Sequence, residues 1–107
     1  MKVYLKRKNG ISAVGEFNMC DKSLVVKKGS IISNSLSTSE KFRGTKTIEK
    51  YRKEYVDGEV VKEDVHFKSA SSAANFVTGI STNGLIAWKN QDGKTIKMMI
   101  SEVDADE

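Results

Sequence analysis

The sequence predicts a small α+β domain: an N-terminal three-stranded antiparallel meander, two short helices and a C-terminal β-hairpin. Three observations predict it. Residues 1–30 alternate apolar and polar side chains around an Asn9-Gly10 turn signal, the period of half-buried strands. Residues 46–57 and 70–78 carry side chains at i, i+3, i+4 and i+7, the spacing of one helix face. Leu85–Asn90 and Lys94–Ile100 then flank Gln91-Asp92-Gly93, a second hairpin signal. With 107 residues the chain supports one core, so residues 1–100 are read as a single domain. Residues 101–107 are read as a disordered acidic tail.

In the first hairpin the register follows from sorting the faces. A three-residue Lys8-Asn9-Gly10 loop sets Leu5 opposite Ala13, Val3 opposite Gly15 and Met1 opposite Phe17. It also places Lys2 opposite Glu16 and Lys6 opposite Ser12. That loop needs a left-handed residue last, and Gly10 stands there. For the second hairpin, a two-residue turn at Asp21-Lys22 would pair Phe17 with Val26, Met19 with Leu24 and Glu16 with Lys27. The inner face is then Val3, Leu5, Ala13, Phe17, Met19, Leu24 and Val26. Burying each large member stabilises the fold by about 1.5–3 kcal/mol. The outer face carries Lys2, Tyr4, Lys6, Ser12, Val14, Glu16, Asn18 and Lys27.

Residues 31–45 form a serine-rich connection without a period, long enough to be mobile or functional. Arg43 and Lys46 flank Gly44 where a helix begins, and a helix N-terminus with nearby cations can hold a phosphate. The first helix, Lys46–Asp57, has Ile48, Tyr51, Arg52 and Tyr55 on one face. Tyr51 and Tyr55 are read as half-buried packing, and Asp57-Gly58 as the helix stop. Val60, Val61, Val65 and Phe67 predict one or two short strands around a charged Lys62-Glu63-Asp64 turn.

The stretch Phe67–Lys89 has the strongest local logic in the chain. Ser69 is a good N-cap, and Ala70, Ala73, Ala74 and Val77 form a thin apolar stripe that lets a neighbour approach closely. Gly79 suits the left-handed position that ends a helix, and Asn83-Gly84 suits a tight turn. A strand with the single tryptophan comes next. The last hairpin would set Trp88 opposite Ile96 and Ile86 opposite Met98, with Trp88 in the core. Ile96, Met99 and Ile100 also fit a helical spacing, so Thr95–Ile100 has a helix alternative.

Composition narrows the function classes. No apolar run approaches the roughly 20 residues of a membrane span, and the alternating N-terminus does not read as a secretory signal. A lone cysteine, Cys20, cannot form an internal disulfide, which predicts a cytoplasmic setting. With one histidine, His66, there are too few N and S ligands for a zinc site, so neither metal nor cofactor is expected. No catalytic constellation is visible, and the chain reads as a non-enzyme. Net charge is +4, yet residues 1–53 hold thirteen Lys/Arg against four Asp/Glu, while residues 54–107 hold five against ten. A basic half this biased points to an anionic partner.

Taken together, Phe67-x-Ser69-x-Ser71-x-Ala73-Ala74, Gly79, Asn83-Gly84, Trp88-Lys89 and Asp92-Gly93-Lys94 resemble the family called domain of unknown function 4357. The opening meander with its Lys28-Gly29-Ser30 step is similar to that family as well. Ala70 departs from it, since proline is frequent there in the family. The resemblance implies company with GIY-YIG-type nucleases, at whose C-terminus such domains are often found. It carries over no catalytic residue, and the GIY-YIG signature itself is missing.

These readings converge on a non-catalytic accessory domain that binds nucleic acid through its basic half. The candidate contacts are Lys2, Lys6, Arg7, Lys8, Lys27, Lys28, Arg43, Lys46 and Lys50. A continuous positive strip of Lys2, Lys6, Lys27, Arg43 and Lys50 is the arrangement that reading expects. The alternative is a protein-interaction or self-association module.

Overall fold

The computed structural model describes residues 1–8, 10–33, 45–80 and 82–105. In chain order the strands and helices are β1 (Lys2–Lys6), β2 (Ser12–Phe17), β3 (Leu24–Val26), α1 (Thr45–Tyr55), β4 (Val56–Asp57) and β5 (Val60–Val61), and then β6 (Val65–Phe67), α2 (Ala70–Thr78), α3 (Gly84–Ala87) and α4 (Ile96–Ala105). The main sheet is antiparallel in the order β1-β2-β3-β6, and β4-β5 form a separate small hairpin. The fold is α+β. No described helix is long and apolar enough to cross a membrane.

The first hairpin has the expected register, with Lys2 opposite Glu16, Leu5 opposite Ala13 and Lys6 opposite Ser12. Arg7 N–H donates to Ile11 O at 3.0 Å, and Gly10 takes φ 98°, the left-handed conformation the loop requires. The second hairpin is shifted by two residues: Phe17 faces Leu24 and Gly15 faces Val26, while Glu16 faces Val25 and not Lys27. A wider loop wins because side chains satisfy its backbone. Asn18 Oδ1 accepts from Cys20 N–H at 2.8 Å, and Asp21 Oδ1 accepts from Ser23 N–H at 2.9 Å. A shift of two keeps every side chain on its face. Val3, Leu5, Ala13, Phe17, Leu24 and Val26 are therefore buried as expected, and Met19, out of the ladder, packs against the core half-buried.

Helix α1 stops two residues short of the expected end. Asp57-Gly58 is part of a hairpin and not a helix stop, since Val56 pairs with Val61 and Asp57 with Val60. β-branched valines on both sides favour the extended chain there. Tyr51 and Tyr55 are half-buried, with Tyr51 tilted against Phe67 (5.2 Å between centroids) and edge-on to Phe76 (6.5 Å). Arg52 Nη2 donates to Phe76 O at 2.9 Å, satisfying a carbonyl near the C-terminus of α2. Of the serine-rich connection, Ile31 bridges Ser12 and Val60 and Ile32 is buried; residues 34–44 lie outside the described residues.

Helix α2 carries the expected caps. Ser69 Oγ accepts from Ser72 N–H at 3.1 Å, and Gly79 takes φ 77°. Its stripe of Ala70, Ala73, Ala74 and Val77 is buried together with Phe76. The chain beyond α2 departs from the expected hairpin. Asn83 caps α3, its Oδ1 accepting from Leu85 N–H at 3.1 Å, so Asn83-Gly84 starts a helix and makes no positive-φ turn. Lys89 alone keeps strand pairing, with Tyr4 on one side and Thr95 on the other. After the Gln91-Asp92-Gly93 turn the chain takes the helical alternative as α4, with Thr95 Oγ1 accepting from Met98 N–H at 3.2 Å. Ile86 and Met98, expected as partners across a hairpin, are each 50% exposed. Trp88 and Ile96 stay neighbours in the core through Ile96 N–H to Trp88 O at 3.2 Å. Helix α4 runs on to Ala105, so Ser101–Ala105 of the expected tail are helical.

Candidate functional site

Alternation puts Lys2, Tyr4 and Lys6 on the outer face of β1, opposite the buried Val3 and Leu5. What makes this face a site is the free edge of β1, which the segment after α3 covers. Tyr4 N–H donates to Lys89 O at 2.7 Å and Lys89 N–H to Tyr4 O at 3.0 Å. Directly paired residues in an antiparallel ladder share a face. With Trp88 buried beneath the sheet, its neighbour Lys89 therefore projects on the same side as Tyr4.

The result is a groove of about 810 Å³ lined by Tyr4, Lys6, Arg7, Ile86, Lys89 and Gln91, among others. Lys6, Arg7 and Lys89 are exposed, Tyr4 is half-buried, and the Lys6 ammonium sits 5.8 Å from the Tyr4 ring centroid. Ile86 and Ala87 of α3 supply an apolar wall, while Asn83, Asn90 and Gln91 contribute carboxamides. No described carboxylate lines the groove, and Lys6, Arg7 and Lys89 form no ion pair among the described residues.

The other candidates fall elsewhere. Lys2 shares the face two residues from Tyr4, and Lys8 is exposed in the adjoining hairpin turn. Lys27 is bound to Asp64, whose Oδ2 accepts from its Nζ at 2.9 Å while Oδ1 accepts from Lys28 N–H at 2.8 Å. Lys50 is exposed on α1, which packs by β6 at the opposite edge of the sheet. Arg43 and the side chain of Lys46 lie outside the described residues. Among the described residues, Lys27 and Lys50 thus stand apart from Lys2, Lys6, Arg7, Lys8 and Lys89, which lie at or beside the β1 edge. Lys89, absent from the sequence candidates, is the addition. Its signal was the Trp88-Lys89 alternation, which becomes informative only once that segment is known to border β1.

The Lys28 amide and the Lys27 ammonium hold the Asp64 carboxyl below the usual carboxylate range. A depressed folded-state value adds stability that is fully present above about pH 4 and is lost as pH falls through the folded-state value. Asp64→Asn should accordingly unfold at lower urea than the parent at neutral pH, with the gap closing in acid. A gap unchanged across that range would contradict the linkage.

His66 is exposed at an outward position of β6, and Cys20 is exposed in the β2–β3 turn. Among the described residues no group of three His, Cys, Asp or Glu is placed to hold a metal ion.

The residues of the Phe67–Lys94 motif have structural duties around this groove. Phe67, Ala73 and Ala74 are core, Ser69 and Gly79 cap α2, and Asn83, Gly84 and Trp88 fix the segment that carries Lys89. Neither a curated protein nor a solved structure matches the chain. A family model described as a domain of unknown function (DUF4357) matches residues 3–100, and the chain belongs to that family.

Proposed function

We propose that this domain is a non-catalytic accessory module that binds nucleic acid through the groove at the β1 edge. The observation that carries the reading is the grouping of Lys6, Arg7 and Lys89 around Tyr4 with no carboxylate among the described lining residues. Cations with no ion pair among the described residues can replace counterions on phosphates, whereas Lys27 is held by Asp64. The resemblance to domains accompanying GIY-YIG-type nucleases supports a nucleic-acid setting, and the lone Cys20, which can form no internal disulfide, supports a cytoplasmic location. His66 and Cys20 are exposed and neither side chain makes a hydrogen bond among the described residues, which supports a non-catalytic role.

Titration with labelled DNA and RNA over a salt series tests this. The log of the affinity should fall with log salt by about 0.7–0.9 per phosphate contact. Changing Lys6, Arg7 and Lys89 together to alanine should remove about two to three contacts from that slope. Lys50→Ala should leave the slope alone. Absence of binding at low salt by the intact chain would end the proposal.

One observation favours a second reading, a protein-interaction or self-association module. Ile80, Leu85, Ile86 and Met98 are exposed large apolar side chains beyond α2 and on α3 and α4. Sedimentation showing a dimer that Met98→Lys disrupts would support it.

A further inference from the structure

We infer that the groove takes single-stranded nucleic acid, with one unstacked base lying on Tyr4 and the flanking phosphates against Lys6, Arg7 and Lys89. This rests on the nucleic-acid reading of the same groove and narrows it. A duplex keeps its base faces stacked inside and offers proteins only base edges and phosphates. A surface serving a duplex can use a tyrosine's hydroxyl as a phosphate contact, but its ring face finds no exposed base to stack on. Here the half-buried Tyr4 lines one groove with the exposed Lys6, Arg7 and Lys89.

A single strand presents what this site lacks: π faces for the ring and a backbone to follow the cations. The Lys6 ammonium over the ring, at 5.8 Å, is on a flexible stem and can swing from the ring to a phosphate when a base arrives. Ile86 and Ala87 give a base an apolar flank. Gln91, exposed and without a side-chain hydrogen bond among the described residues, can meet a base edge. Stacking is tolerant of sequence, so the site should select strandedness above base identity.

The test compares a short fluorescein-labelled oligothymidine strand with a blunt duplex of equal length, using the full chain at low salt. The strand should bind about tenfold or more tightly than the duplex. Tyr4→Ala should weaken strand binding about 5- to 100-fold with the salt slope unchanged. Tyr4→Phe should bind as the parent does, which separates a lost stacking surface from a disturbed sheet, and circular dichroism checks that both variants fold. Equal or tighter duplex binding, or a Tyr4→Ala chain that binds the strand normally, overturns the inference. If duplex binding dominates and still depends on Lys6, Arg7 and Lys89, only the single-strand inference falls. If neither form binds, the nucleic-acid reading falls with it.

Discussion

Trp88→Ala should cost about 3–5 kcal/mol of folding stability, the range for deleting a large buried aromatic. Trp88 is fully buried, and its side chain meets both halves of the chain. Its indole Nε1–H donates to Ala70 O at 3.1 Å, at the start of α2. Its ring lies so close to β2 that a Cβ on Gly15 would stand 3.2 Å from it. Removing the indole therefore opens a cavity between sheet and helix and strips a hydrogen bond from a dry site. The loss should be read as a drop in the urea midpoint by far-UV circular dichroism, because the variant has no tryptophan to report. Trp88→Phe, which keeps a ring and gives up the N–H, should fall between the two. A cost below about 1 kcal/mol for the alanine variant would show that the sheet and α2 hold together without this side chain.

Gly84→Ala should be nearly as damaging, at about 3 kcal/mol or more. A Cβ there would sit 2.1 Å from Ala70 C, 2.2 Å from Ala70 O and 2.4 Å from Ser71 N. All three are backbone atoms and cannot rotate away, so α3 would have to lift from α2. Gly84 N–H also donates to Ser71 Oγ at 3.0 Å, a bond that holds the two helices at this close approach. Ser71→Ala isolates that bond and should cost only about 1 kcal/mol. Equal midpoints for Gly84→Ala and the parent would mean that the contact is not needed. Under the proposed function, Gly84→Ala should also weaken nucleic-acid binding where the variant folds at all, because α3 leads into Lys89.

The family motif thus reads as packing geometry. Small residues on α2 and a glycine on α3 bring two helices together, and the tryptophan pins that pair under the sheet. The groove on the other face is a by-product of where this places the next residue, Lys89. This explains how the motif residues shape a groove that, of their number, Asn83, Lys89 and Gly93 line.

Local signals carried the elements whose partners are near in the chain. The first hairpin register followed from face sorting and Gly10, and the α2 boundaries from Ser69 and Gly79. The second hairpin slipped by two because Asn18 and Asp21 cap a wider turn, a competition that alternation cannot weigh. Asn83-Gly84 has the pattern of a turn yet starts a helix for a related reason. An asparagine before a glycine serves a turn or a helix start equally well, and only the Ala70–Ser71 backbone behind Gly84 decides between them.

By itself, the sequence determined the α+β class, the inner and outer faces of the meander, the capped α2 helix and the concentration of cations in residues 1–53. Only the tertiary structure decided which cations lie near one another. Alternation tells a side chain which face to take but says nothing of what lies across a strand edge. That choice depends on Trp88 seeking burial beneath β1 and on two helices close enough to allow it. It moved Lys27 to Asp64, left Lys50 at the far edge of the sheet, and brought Lys89 beside Tyr4.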